Sequence, residues 1–143
     1  SDIFFDADIV INLIKDNNDL AISYDKNWLS LWSKRFERPL DDAESFRHNK
    51  MDFLTEIGNK VNSIKDINGQ YMGLIKITPT GWKKLEDVYR LLDRPTQENI
   101  HFTKILNYSV ENHKDFIKVI PVTSCWGEVD TKNDLDLYNK IVE

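Results

Sequence analysis

Two short acidic segments stand near opposite ends of the chain, Ser1-Asp2-Ile3 and Glu128-Val129-Asp130-Thr131, each where an apolar run borders polar residues. In α/β sheets the ends of strands are where ligands bind. If the fold brings Asp2 and Asp130 together, they offer hard carboxylate oxygens, the donors Mg²⁺ takes when it also holds phosphate oxygens. The chemistry would be metal-assisted phosphoryl transfer. Spacing alone favours a plainer reading, in which Asp2 closes a turn and Asp130 caps the last helix.

Lys60 follows Gly58 and Asn59 in a predicted loop after a strand, where an ammonium can meet a phosphate or phosphonate. Most loop lysines are simply solvated. Glu56, two residues before the glycine, either orients that lysine or lies exposed on an edge strand. Trp28, Trp32, Tyr71 and Trp126 suit a box for a cationic amine, because tryptophan faces attract ammonium groups. Core packing is the commoner use of such rings, and Trp32 and Trp82 read as packing. His48, His101 and His113 lack metal-ligand spacing, and Cys125 has no activating base, so none receives a catalytic role.

These residues need elements to hold them. Asp6 is placed to cap a helix carrying Ile9, Val10, Leu13 and Ile14, and residues 20–24 read as a buried strand that delivers Asp25 to a loop. Residues 28–36 form a short helix that Pro39 must end, and the stretch 41–50 is polar. Strands are expected over 51–57 and 70–78, as a central hairpin or cross-sheet pair. Thr78-Pro79 opens a helix with Trp82, Leu85, Val88, Tyr89 and Leu92, which Pro95 closes. A further helix over 97–113 and a strand over 116–122 follow. Thr131 and Asp134 resemble a capping box before a helix whose apolar side is Leu135, Leu137, Tyr138, Ile141 and Val142. Strands interspersed with helices predict an α/β layer fold. Ser1 to Phe5 reads as the end of a buried strand, as though the chain began mid-domain.

Composition sets outer bounds. The 143 residues suit one domain, and 41% hydrophobic with 30% charged residues is ordinary for a globular protein. A net charge of −5 argues against a broad phosphate-backbone footprint, so no nucleic acid is expected and any nucleotide is a small-molecule substrate. The single Cys125 forms no intramolecular disulfide, which fits a reducing compartment, the cytoplasm. No apolar run approaches the roughly 20 residues that span a bilayer, so no membrane attachment is expected.

Read as patterns, the same residues resemble a known family. Ser1-Asp2-Ile3 is similar to the tail of the Y-G/S-D-I motif of sugar-phosphate nucleotidyltransferase-like proteins. Trp126-Gly127-Glu128-Val129-Asp130-Thr131-Lys132-Asn133-Asp134-Leu135 resembles that family's W-x-E-I-D-T-x-x-D-L ending. Glu56-Ile57-Gly58-Asn59-Lys60 and Gly69-Gln70-Tyr71-Met72-Gly73-Leu74 resemble, more narrowly, the cytidylyltransferases of phosphonate and phosphocholine metabolism, and Asp25, Trp28, Arg35, Pro39, Asp42 and Glu44 fit that branch. The resemblance covers nearly the whole chain and implies a Rossmann-like, GT-A-like three-layer α/β fold with a mixed sheet. Residues 1–143 would be the C-terminal, acceptor- and metal-binding portion. It implies that Asp2 and Asp130 bind Mg²⁺ and that Lys60 contacts the acceptor's anionic group. Glu56, Tyr71, Gly73, Trp126 and Trp28 belong to the acceptor site on this reading. The acceptor oxygen would attack the α-phosphorus of CTP and release pyrophosphate.

The family's glycine-rich loop, which grips the triphosphate, has no counterpart, because no G-x-G-x-R segment occurs in these residues. The chain alone is therefore expected to be inactive. An open sheet edge around Ile3, Phe4 and Phe5 is expected to pair with another copy, giving a homo-oligomer. Two other classes compete: a binding or assembly module in which Asp2 and Asp130 only cap, and a glycosyltransferase using Asp6-Ala7-Asp8 as its metal motif, where capping at a helix start is the simpler role.

Overall fold

The computed structural model describes residues 2–141, with side chains to residue 140. Ser1 of the first acidic segment, Val142 and the Ile141 side chain expected on the last helix lie outside the described residues.

The second strand organises the molecule. β1 (Ile3–Phe5) and α1 (Ala7–Lys15) lead into β2 (Leu20–Asp25), every residue of which is buried. β2 lies between β5 (Gln70–Ile77), antiparallel to it, and β6 (Lys118–Val122), parallel to it, so the sheet is mixed. Strand geometry sends alternate residues to opposite faces. Leu20, Ile22 and Tyr24 accordingly join one core with Val119, with Leu85 of α3 (Pro79–Leu91) and with Leu106 of α5 (Phe102–Asn112). Met72 and Val122 join a second core with Ile9 of α1 and with Trp28 and Trp32 of α2 (Trp28–Arg35). Helices thus cover two sides of the sheet, each burial of a large apolar side chain contributing about 1.5–3 kcal/mol.

Two sequence expectations about strand pairing are corrected. The expected strands over 51–57 and 70–78 do not pair with each other: β4 (Leu54–Lys60) pairs with β3 (Glu44–His48), and β5 pairs with β2. β3 falls in the stretch read only as polar, because its outward residues Glu44 and Arg47 mask Phe46, which is 1% exposed in the first core. The hairpin is tied to the sheet where Leu54 N–H donates to Ile117 O and Val119 N–H to Asp52 O.

The helix expected over 97–113 is also two elements. Asp93 caps α4 (Arg94–Asn99), its Oδ1 accepting from Thr96 N–H, and Pro95 starts that helix rather than only closing the previous one. Extended Ile100 and His101 then redirect α5 onto β4, where Asn107 Oδ1 accepts from Ile57 N–H at 3.0 Å. Trp82, expected in the core, is 58% exposed on α3. Among the described residues no helix is long and apolar enough to cross a membrane.

Candidate active site

β7 (Trp126–Glu128) runs antiparallel to β1, with Ile3 opposite Glu128 and Phe5 opposite Trp126. One step beyond that ladder Val129 N–H donates to Asp2 O at 2.8 Å. The ribbon therefore carries both acidic segments to the same end, where the side chains of Asp2 and Asp130 meet solvent. Among the described residues no group of three or more His, Cys, Asp or Glu is arranged to hold a metal ion.

α6 (Lys132–Ile141) starts immediately after this point, and its entry is the expected capping box. Thr131 Oγ1 accepts from Asp134 N–H at 3.2 Å, and Asp134 Oδ2 accepts from Thr131 N–H at 2.9 Å. Asp134 Oδ2 also accepts from Asp130 N–H at 3.2 Å. Asp130 itself does not cap; its carboxylate turns to Arg35.

Arg35 ends α2 and is the hub of this corner. Its Nε donates to Asp134 Oδ1 at 2.9 Å, Nη1 to Glu128 Oε2 at 3.2 Å and Nη2 to Asp130 Oδ2 at 2.7 Å. The side chain has no solvent exposure, and the guanidinium carbon lies 5.4 Å from the Trp32 ring centre and 5.0 Å from that of Phe36. Burial disfavours the charged guanidinium, but the hydrogen-bonded carboxylates outweigh it and hold Arg35 protonated more firmly than usual. Asp134 also feels burial, yet hydrogen bonds from Arg35 and Thr131 pull its carboxyl below the ordinary range. Glu128 goes the other way: burial and the neighbouring Asp130 charge push it up against the pull of Arg35.

Glu128 also lines a cavity of about 210 Å³ together with Glu44, Gln70, Tyr71, Gly73 and Thr103. Burial pushes the Tyr71 phenol up to about 12 and raises the Glu44 carboxyl. Gly73 sits where β5 bulges away from β2: Ile22 faces Ile75, whereas Tyr24 faces Tyr71. Its φ of 87° lies in the left-handed region that a side chain resists. Lys60 ends β4 directly across from Glu44, exposed to solvent.

The remaining sequence candidates lie elsewhere. Glu56 engages Asn59 Nδ2 at 3.1 Å and Arg47 Nε at 3.5 Å rather than Lys60, and the Asn59 bond holds its carboxyl low. Trp28 is 3% exposed and packs edge-on against Trp32. Trp126 lines a separate cavity of about 230 Å³ with Asp25, Lys34 and Ser124. There its Nε1 donates to Asp25 Oδ2 at 3.1 Å, while burial raises the Asp25 carboxyl. The four aromatic residues therefore do not enclose one space. Asp6 starts α1 without a side-chain cap; its Oδ2 accepts from Cys125 N–H at 3.0 Å instead.

Sequence reasoning gave Arg35, Glu44 and Glu128 no role in the site. A signal for Arg35 existed, since Trp28, Trp32 and Arg35 stand at i, i+4 and i+7 on one helix face, which puts a cation on a buried stripe.

No family model matches the chain. The chain is 34% identical, over 143 aligned residues and 96% of its length, to the CTP:phosphoglutamine cytidylyltransferase of Campylobacter jejuni. It spans 56% of that relative's length. Its fold matches a Bacillus anthracis protein provisionally assigned as a glucose-1-phosphate thymidylyltransferase and solved in complex with a sucrose, with a TM-score of 0.64. That match has 14% identity and covers 98% of this chain and 51% of the other, so it speaks for the fold.

Proposed function

We propose that this relative of the nucleotidyltransferases forms the acceptor- and metal-binding portion of a cytidylyltransferase. The observation that carries the reading is the β1–β7 ribbon, which brings Asp2 and Asp130 to one end although they stand at opposite ends of the sequence.

The donor set fits Mg²⁺. Two carboxylates are too few for a closed protein cage, and Mg²⁺ is commonly held by one or two carboxylates with water and substrate phosphates completing its octahedron. Asp2 and Asp130 would hold it, and when bound it supplies positive charge to the phosphate oxygens as negative charge shifts toward the leaving group. The chain's own residues do the positioning. Lys60 meets the acceptor's anionic group, and Tyr71 and Gly73 line the acceptor cavity, with Glu56 bracing the hairpin that carries Lys60; Trp126 borders the separate Asp25 cavity and Trp28 packs in the second core. An acceptor phosphate or phosphonate oxygen then forms a bond to the α-phosphorus of CTP while the bond to the β-phosphate breaks. Pyrophosphate leaves with that electron pair. Holding the two reactants in line supplies most of what such a reaction needs from protein.

CTP is favoured by the cytidylyltransferase relative. The acceptor class is a small phosphorylated or phosphonylated molecule, with phosphocholine, 2-aminoethylphosphonate and phosphoglutamine as candidates. Lacking a glycine-rich phosphate loop, these residues bind acceptor and metal without turnover, and the edge of β1 that β7 does not cover pairs with a second copy.

Isothermal titration of the chain with each candidate acceptor and Mg²⁺ tests the reading. Acceptor binding that strengthens with Mg²⁺ and is lost in Asp130→Asn supports it. Absence of binding by all three, with the chain folded, refutes it. Light scattering decides the oligomer.

A further inference from the structure

We propose that Arg35 is a positioning residue that makes Asp130 a one-oxygen metal ligand and thereby sets the preference for a small divalent cation. The inference rests on the reading of Asp130 as a ligand. Its observation is independent of that reading: Arg35 Nη2 occupies Asp130 Oδ2 at 2.7 Å.

The arrangement leaves little freedom. A guanidinium is a rigid planar fork, and here each of its three nitrogens has a different carboxylate partner. Its faces are covered by Trp32 and Phe36, and its side chain has no exposure, so the fork cannot swing away without opening the second core. Asp130 is gripped a second time through its backbone, whose N–H donates to Asp134, and Asp134 is itself fixed by Arg35 and Thr131. With one lone pair of Oδ2 given to Arg35, Oδ1 is the more available oxygen of Asp130 for a cation, and two-oxygen coordination is disfavoured.

That restriction has chemical content. Mg²⁺ demands a compact octahedron, whereas Ca²⁺ is larger and readily takes both oxygens of one carboxylate. A carboxylate with one oxygen occupied by arginine suits the first ion and handicaps the second. Lysine at position 35 keeps a charge but has no fork to reach three separated acceptors, so it releases Oδ2.

The test uses Mn²⁺ as a spectroscopic probe, its free concentration read by electron paramagnetic resonance with the full chain, phosphocholine present, and Mg²⁺ or Ca²⁺ as competitor. In the unsubstituted chain Mg²⁺ displaces Mn²⁺ more effectively than Ca²⁺ does. Arg35→Lys and Arg35→Gln reduce that preference by about tenfold, the scale typical of groups that orient metal ligands. Thr78→Ala, which loosens the cap of α3 and touches neither Arg35 nor its three partners, keeps the preference and controls for stability. An unchanged Mg²⁺ to Ca²⁺ ratio in Arg35→Lys overturns the proposal. If neither Arg35 variant folds, nitrogen-15 spectra of the unsubstituted chain decide. Arg35 Nη protons that stay protected with Mg²⁺ bound support it, and protons released on binding overturn it. No Mn²⁺ binding by the unsubstituted chain overturns the metal reading itself, a different outcome from binding without altered preference.

Discussion

Arg35 of α2 and Asp134 of α6 are joined by a 2.9 Å hydrogen bond, although they stand 99 residues apart in the sequence. The bond is one prong of a fork whose other prongs reach Glu128 and Asp130. A buried cation with three acidic partners makes the corner a single unit, which fails as a unit when the cation is removed.

Arg35→Met is therefore expected to destabilise the chain by about 3 kcal/mol or more, because removing one side of a buried ion pair leaves uncompensated charge. Urea unfolding at neutral pH measures it. A loss under about 1 kcal/mol, the range of exposed pairs, would show the corner to be solvated.

The capping box gives a pH-dependent prediction. Asp134 has a folded pKa below its unfolded value, so its stabilisation is present above the unfolded value, near 3.9, and is lost as pH falls through the folded one. Asp134→Asn cannot titrate there. The stability difference between the two chains should be largest near pH 6 and shrink progressively below about pH 4, as followed by thermal unfolding. Thr131→Ala should cost about 1 kcal/mol near pH 6 and less below about pH 4, because the Thr131 hydroxyl helps hold the Asp134 carboxyl low.

Gly127 is held between rings. A methyl group there would come within 2.5 Å of the Tyr138 ring and 2.6 Å of Phe4, which themselves meet edge to face at 4.9 Å. Gly127→Ala should cost about 1–3 kcal/mol through forced repacking. Near-neutral stability by denaturant titration would mean that the rings yield freely.

Tyr71→Phe separates stability from binding. The phenol is buried enough to titrate near 12, yet its ring packs against the first core, so removing the hydroxyl should change stability by less than about 1.5 kcal/mol. Acceptor affinity by calorimetry should fall several-fold. Unchanged affinity would remove Tyr71 from the acceptor cavity.

Local signals in the sequence were readable where one side chain dominates its own neighbourhood. The apolar run at Leu20–Tyr24, the Thr78-Pro79 helix start and the Thr131/Asp134 box each appear in the structure. The partner of β4 was not readable, because Phe46 is a lone apolar residue among polar ones and strand pairing is decided by contacts distant in sequence. At the site, motif order pointed to both acidic segments, and the ribbon brings them to one end. The guanidinium beside the second segment was hidden, since an arginine at a helix end looks like an ordinary dipole partner until its three acceptors are in place.

The ribbon that joins the chain's extremities is only three residues wide. Such a short seam opens readily by itself, so an ion gripping both of its sides would behave as a stitch, holding the closed form and not the frayed one. Metal concentration would then govern how often the first strand peels away, and hydrogen exchange at its amides would slow as the ion is added. Occupancy and local order at this corner become one quantity measured in two ways.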